Sequence, residues 1–181
     1  MLFLVTVCIY FICAFQIQAQ THNRKLNQFI PEGYELLDSK SGDLNQDGFT
    51  DYILICKSPN EMETEDAKRP LIILHGQSDG SLYEAVRNDN VVLCALCGGV
   101  WGDPYSAMAI KKNFFSVEHM GGSSDKWTRI ITFKYNLEEG QYYLHKDAGE
   151  VWNSNKKAKP KMESYSKENW RSLLFEYYTN E

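Results

Sequence analysis

Apolar residues along this chain come in short bursts separated by clusters of Gly, Asn and Asp, at 34–37, 52–56, 71–74, 91–94, 114–117, 130–135 and 142–144. Each burst is too short for an ordinary helix and is rich in β-branched or aromatic residues, so each predicts a strand. Residues 128–135, TRIITFKY, alternate in part, and Asn136 to Gly140 supply a turn, which predicts a hairpin with the burst at 142–144. No apolar repeat of helical period occurs before residue 160. The pattern predicts an all-β or mainly β chain, a compact antiparallel sheet or sandwich-like domain. The stretch 58–69, edged by Pro59 and Pro70 and acidic within, predicts an exposed loop, and the tail at 166–178 a closing strand.

The N-terminus breaks this pattern. Residues 1–15 are apolar apart from Thr6, and the first charged residue is Arg24. Such a run falls short of the roughly 20 residues that cross a bilayer and matches the core of a secretory signal. The expectation is a signal peptide at 1–19, cut after Ala19, and a single β-rich domain at 20–181 that is periplasmic or secreted and has no transmembrane span. A formal net charge of −5 argues against nucleic acid as a partner, because that binding relies on positive charge. Export also bears on the cysteines. Cys94 and Cys97 can close a disulfide in an oxidising compartment, which leaves Cys56 over. A redox role for the C-x-x-C spacing wants a βαβ setting, and here Gly98 and Gly99 follow at once.

The segment Asp43-Leu44-Asn45-Gln46-Asp47-Gly48-Phe49-Thr50-Asp51 carries the clearest chemistry. Ca2+ is a hard ion that takes six to eight oxygens, and a loop wound around it points alternate side chains inward. Asp43, Asn45 and Asp47 occupy those positions. Gly48 permits a sharp turn, the Phe49 carbonyl is a main-chain ligand, and Asp51 contributes directly or through water. An EF-hand would place Glu at the twelfth position, which here is Leu54, and would exit into a helix, whereas 52–56 reads as a strand. A metal-free turn rich in Asp and Asn is the alternative reading. Three clustered carboxylates repel one another unless a cation offsets them, which favours calcium.

GDLNQDGFTDYILIC followed by LIILHGQSDGSLYEA, about residues 42–85, resembles one unit of the FG-GAP or VCBS repeat, in which an Asp/Asn loop opens a strand and a Gly-x-x-Asp-Gly turn precedes an aromatic. The resemblance implies that Asp43, Asn45, Asp47 and Asp51 are calcium ligands and that Gly76 to Tyr83 form the second half of the unit. No second unit follows, so a complete propeller is not expected, since blades need neighbours to bury their faces.

Other residues allow chemistry without demanding it. His119, Ser123 and Asp125, or Cys97 with His119, supply the residue types of a hydrolase, but Gly121 to Ser124 reads more simply as a hairpin turn. Trp101 and Tyr105 could form a recognition surface or pack inside. The reading that follows is an exported, non-catalytic calcium-binding β-module that recognises a protein or cell-surface partner. An inhibitor or immunity protein acting on an exported hydrolase or toxin is the alternative within binding proteins, and a Cys/Ser-His hydrolase the alternative among enzymes.

Overall fold

In the strand Phe114–Gly122 the inward positions Phe115, Val117, His119 and Gly121 alternate with the partly or fully exposed Phe114, Ser116, Glu118 and Met120. That period of two is the signature of a sheet with one covered face. A computed structural model describes residues 25–64, 66–156, 159–165 and 172–180. The expected signal at 1–19 lies outside the described residues. The chain divides into two units, Met1–Glu32 and Gly33–Glu181. In the first, the described residues include a helical turn at 25–27, where Phe29 N–H donates to the Leu26 carbonyl at 3.0 Å.

The second unit holds all nine described strands: β1 (Glu35–Gly42), β2 (Asp51–Lys57), β3 (Arg69–Gly76), β4 (Leu82–Val92), β5 (Tyr105–Lys111), β6 (Phe114–Gly122), β7 (Asp125–Asn136), β8 (Gln141–Asn153) and β9 (Lys161–Ser164). They form two antiparallel meanders, β1-β2-β3-β4 and β5-β6-β7-β8-β9, closed into neither a barrel nor a propeller. This is the mainly β, antiparallel architecture expected from the pattern. Ile53, Ile55, Leu71 and Ile73 of the first sheet share one core with Met108, Phe115, Val117, Ile131, Phe133 and Leu144 of the second. The Phe115 and Phe133 rings stack at 5.2 Å, and the Phe175 ring meets both edge-on.

Several local expectations are corrected. The burst at 91–94 is only the end of β4, whose earlier part runs through Arg87, Asn88, Asp89 and Asn90. These polar residues are accommodated because Arg87 pairs with Asp89 at 2.6 Å and the buried Asn88 donates to the Phe175 and Tyr178 carbonyls. The stretch 58–69 is not wholly exposed: Glu61, in a single 3-10 turn at Glu61–Glu63, is buried against the fully buried Arg69. The tail is not a closing strand in its described part. Leu174 makes one antiparallel bridge to Tyr143, and Phe175–Tyr177 form a 3-10 turn. Phe175 and Tyr178 enter the core, which a regular strand, with side chains alternating between faces, would not allow at that spacing. The part of the tail at 166–171 lies outside the described residues.

Because Phe175 plugs the space between the two sheets, Phe175→Ala is expected to cost about 3–5 kcal/mol. The fall in the urea midpoint at constant slope measures it.

Candidate functional site

The link from β1 to β2, residues 43–50, is built around side-chain oxygens that accept its own amides. Asp43 Oδ2 accepts from Gly48 N at 3.1 Å, Asn45 Oδ1 from Asp47 N at 3.1 Å, and Asp47 Oδ1 from Phe49 N at 2.8 Å. Gln46 and Gly48 take positive φ values of 60° and 87°, which wind the loop tightly. Glycine adopts that conformation at no steric cost. Leu44 alone of the loop is fully buried, in the core between the sheets, so it tethers the loop from beneath.

Asp51 behaves differently from the other acids. It is fully buried at the first position of β2. Its Oδ2 accepts from Leu44 N at 2.8 Å and Asn45 N at 3.2 Å, and its Oδ1 from Gly76 N at 3.0 Å. One carboxylate thus joins the β1–β2 loop to the end of β3. A side chain at Gly76 would place its Cβ 2.4 Å from the Thr50 carbonyl oxygen, so only glycine permits this approach. Spacing alone grouped Asp51 with the ligands; its role as a brace was hidden, because Gly76 is distant in sequence.

The donor set suits a hard cation. Asp43 and Asp47 are exposed, Asn45 is partly exposed, and all three sit on one tight turn. Both Asp47 oxygens already accept a donor, Oδ1 from Phe49 N and Oδ2 from Asn45 Nδ2 at 2.8 Å, and each keeps one further lone-pair site. Asp43, Asn45, Asp47 and the Phe49 carbonyl would hold the ion, with Asp51 fixing the loop under them. What Ca2+ supplies in such a place is charge neutralisation and cross-linking.

Beside this loop, His75 Nε2 lies 2.8 Å from the Tyr142 hydroxyl and its Nδ1 3.3 Å from the Tyr83 hydroxyl. Burial lowers the His75 pKa, and the charges of Asp51 and Asp47 oppose that shift. His75 and Tyr142 line a cleft of about 200 Å³ together with Gln141 and Glu176.

Among the described residues, neither ring nitrogen of His119 bonds Ser123, Asp125 or Cys97. His119 is buried, and its Nε2 accepts from Leu93 N at 3.2 Å. Its Nδ1 has no partner among the described residues. Ser123 belongs to the two-residue turn between β6 and β7, where its N–H donates to the Asp125 carbonyl at 2.9 Å. Burial, helped by the nearby guanidinium charges of Arg129 and Arg69, pushes the His119 pKa down to about 3, while Asp103 and Asp147 work weakly the other way. Cys94 and Cys97 form a disulfide, and Cys56 is a buried free thiol that burial pushes up to about 11. Trp101 is exposed, whereas Tyr105 packs on the core and donates to Asp38 Oδ2 at 2.6 Å.

Sequence reasoning gave no hint of the buried cation Arg69. Its Nε and Nη2 donate to Glu61 at 2.8 and 2.7 Å, and its Nη1 and Nη2 to Asp103 at 2.7 and 2.6 Å. Burial alone would lower the Arg69 pKa, but these bonds outweigh it and the pKa rises.

No family model, curated protein or solved structure matches this chain. Among the described residues no helix is long and apolar enough to cross a membrane.

Two outcomes follow from this geometry. Removing the Asp51 carboxylate leaves three amides without their acceptor, each bond to a charged group being worth about 1.5–3 kcal/mol. Asp51→Ala is therefore expected to cost about 3 kcal/mol or more in metal-free urea unfolding, and Asp47→Ala about 1 kcal/mol. The second concerns His119, neutral when folded and basic when unfolded. Between pH 6.5 and about 3 the unfolded state binds the extra proton, so this residue contributes stability that is complete above pH 6.5 and falls as pH drops. The slope approaches about 1.4 kcal/mol per pH unit. Urea unfolding across that range, compared with His119→Phe, isolates it.

Proposed function

We propose that this chain is an exported, calcium-stiffened β-module that recognises a protein or cell-surface partner without catalysing a reaction. The observation that carries the reading is the 43–50 loop. Three of its side chains present oxygen at alternate positions, its winding is fixed by its own Asx hydrogen bonds, and Asp51 anchors it to two strands. The resemblance of residues 42–85 to an FG-GAP or VCBS unit supports the same ion. The loop opens β2, and the turn closed by Gln77 N–H donating to the Ser81 carbonyl at 3.0 Å leads into β4 ahead of Tyr83.

A partner surface is favoured on the link from β4 to β5. Val100 is 85% exposed and Trp101 45%, with Leu96 close by in sequence at 42%. Exposed aromatics on rigid loops are the usual anchors of protein interfaces. Their rigidity comes from the Cys94–Cys97 bridge and from Gly122 N–H donating to the Gly98 carbonyl at 2.9 Å.

An extracellular-type site would bind calcium with a dissociation constant on the order of 0.1–1 mM. Calcium at about 10 mM then adds about 1.4–2.7 kcal/mol to the folded state and raises the melting temperature by roughly 3–10 °C. Differential scanning calorimetry with calcium and with chelator measures this, and Asp47→Ala should abolish the rise. An unchanged melting temperature in the parent protein would sink the calcium reading.

A further inference from the structure

Outside the oxygen-rich loop, the described residues hold one group of side chains with the composition of a transition-metal site. Cys94 and Cys97 follow β4 on a turn closed by Cys97 N–H donating to the Cys94 carbonyl at 3.1 Å. Asp66 approaches them from the segment before β3. A carboxylate oxygen of Asp66 and the two Sγ atoms all lie within 4.8 Å of one another. Asp66 holds this place at φ 57°, a region that few residues other than glycine adopt. Cys94 is buried, whereas Cys97 and Asp66 reach the surface. The group faces a cleft of about 200 Å³ whose walls include Lys68, Asp89, Asn90 and Asn180.

We propose that Asp66, Cys94 and Cys97 form a redox-gated site for a thiophilic divalent cation of the zinc class, shut while the disulfide is closed and open once it is reduced. Two thiolates and one carboxylate are a donor set that zinc accepts, and the C-x-x-C spacing is that of half a zinc site. Two sulfurs each about 2.3 Å from a tetrahedral ion stand about 3.8 Å apart. Opening the bridge therefore requires the sulfurs to part by less than the span that already contains the Asp66 oxygen. Three protein ligands leave a fourth position, which the cleft makes available to water or to a small ligand. Calcium is not expected here, because it prefers oxygen to thiolate.

The chemistry balances with a dithiol as reductant. The Cys94–Cys97 S–S bond breaks, a new S–S bond forms between the two sulfurs of the dithiol, and its two protons pass to Cys94 and Cys97. Metal binding then releases those two protons to solvent. The 43–50 loop takes no part in this site, since it offers oxygen donors only.

The test uses cobalt(II) as a spectroscopic substitute for zinc. The full protein is reduced anaerobically with a phosphine, which takes oxygen from water and leaves both cysteines as thiols, and is then freed of reductant. The expected result is a thiolate-to-cobalt charge-transfer band that saturates at one ion per chain, disappears on adding zinc, survives excess calcium, and is absent from the oxidised protein. Cys56→Ser should keep the band and Cys97→Ser should lose it. Asp66→Asn should weaken cobalt binding roughly tenfold or more, since even outer partners of a bound metal are worth that much. Circular dichroism follows the strands throughout. Reduced protein that stays folded without a band, or that unfolds on reduction, overturns the proposal without needing any variant. So does a band that survives Cys97→Ser, or affinity unchanged by Asp66→Asn. The calcium reading is checked separately, by melting the oxidised protein.

Discussion

A buried carboxylate without partners is among the more costly things a small domain can contain, and Asp51 is tolerable only because three backbone amides point at it. Those amides come from both sides of a junction. Two belong to the turn leaving β1 and the third to the last residue of β3. Asp51 therefore couples the start of β2 to the shape of the loop before it and to the neighbouring strand end. Leu44 continues the coupling inward, since the amide held by Asp51 is that of a residue seated in the core. With the loop fixed at both points, Asp43, Asn45 and Asp47 accept amides of their own turn, and Asn45 also donates to Asp47.

The same logic of satisfied burial recurs in the second sheet. Arg129 on β7 forms a two-pronged pair with the buried Asp147 on β8, with donor–acceptor distances of 2.9 and 2.7 Å. Tyr178 adds its hydroxyl to Asp147 at 2.7 Å, and Arg129 donates onward to the Asn180 carbonyl at 3.0 Å. Buried ion pairs of this kind contribute little net stability once desolvation is counted, but breaking one partner is costly. Their effect is to fix where the tail docks. The neutral state of His119 belongs to the same electrostatics, because burial and the fixed guanidinium charges of Arg129 and Arg69 all disfavour a further positive charge.

The strands that could be read from sequence are those where side-chain chemistry and burial agree. The central strands β2 and β3 are runs of Ile and Leu buried almost throughout, and the hairpin turn expected at Gly121 to Ser124 is made by Ser123 and Ser124, the two glycines ending β6. Elements escaped notice where a distant partner overrules local character. β4 carries Arg87-Asn88-Asp89-Asn90, which reads as a loop until Asn88 finds carbonyls 87 and 90 residues away. β5 was hidden among the glycines and Pro104 that precede it, and its Tyr105 is fixed by Asp38, 67 residues back. Of the candidate loop, the spacing of oxygens was legible and the division of labour was not. Nothing local separates Asp47, exposed at the surface, from Asp51, buried as a brace; only the return of Gly76 does so.

The segment 97–104 shows how such distant restraints create a rigid surface from a flexible composition. Asp103 accepts both from buried Arg69 and, at 2.9 Å, from Tyr105 N, which fixes the exit into β5. The disulfide fixes the entry, and the Gly98 and Pro104 carbonyls accept from Gly122 and Met120 on β6, both at 2.9 Å. Trp101 is steadied from the side by Lys126, whose ammonium lies 4.6 Å from the ring centroid. Val100 and Trp101 thus stay exposed on a backbone held at both ends and along its length. A surface ordered before contact loses less conformational freedom on binding than a mobile loop would. A partner meeting this segment would therefore find its contact residues already in place.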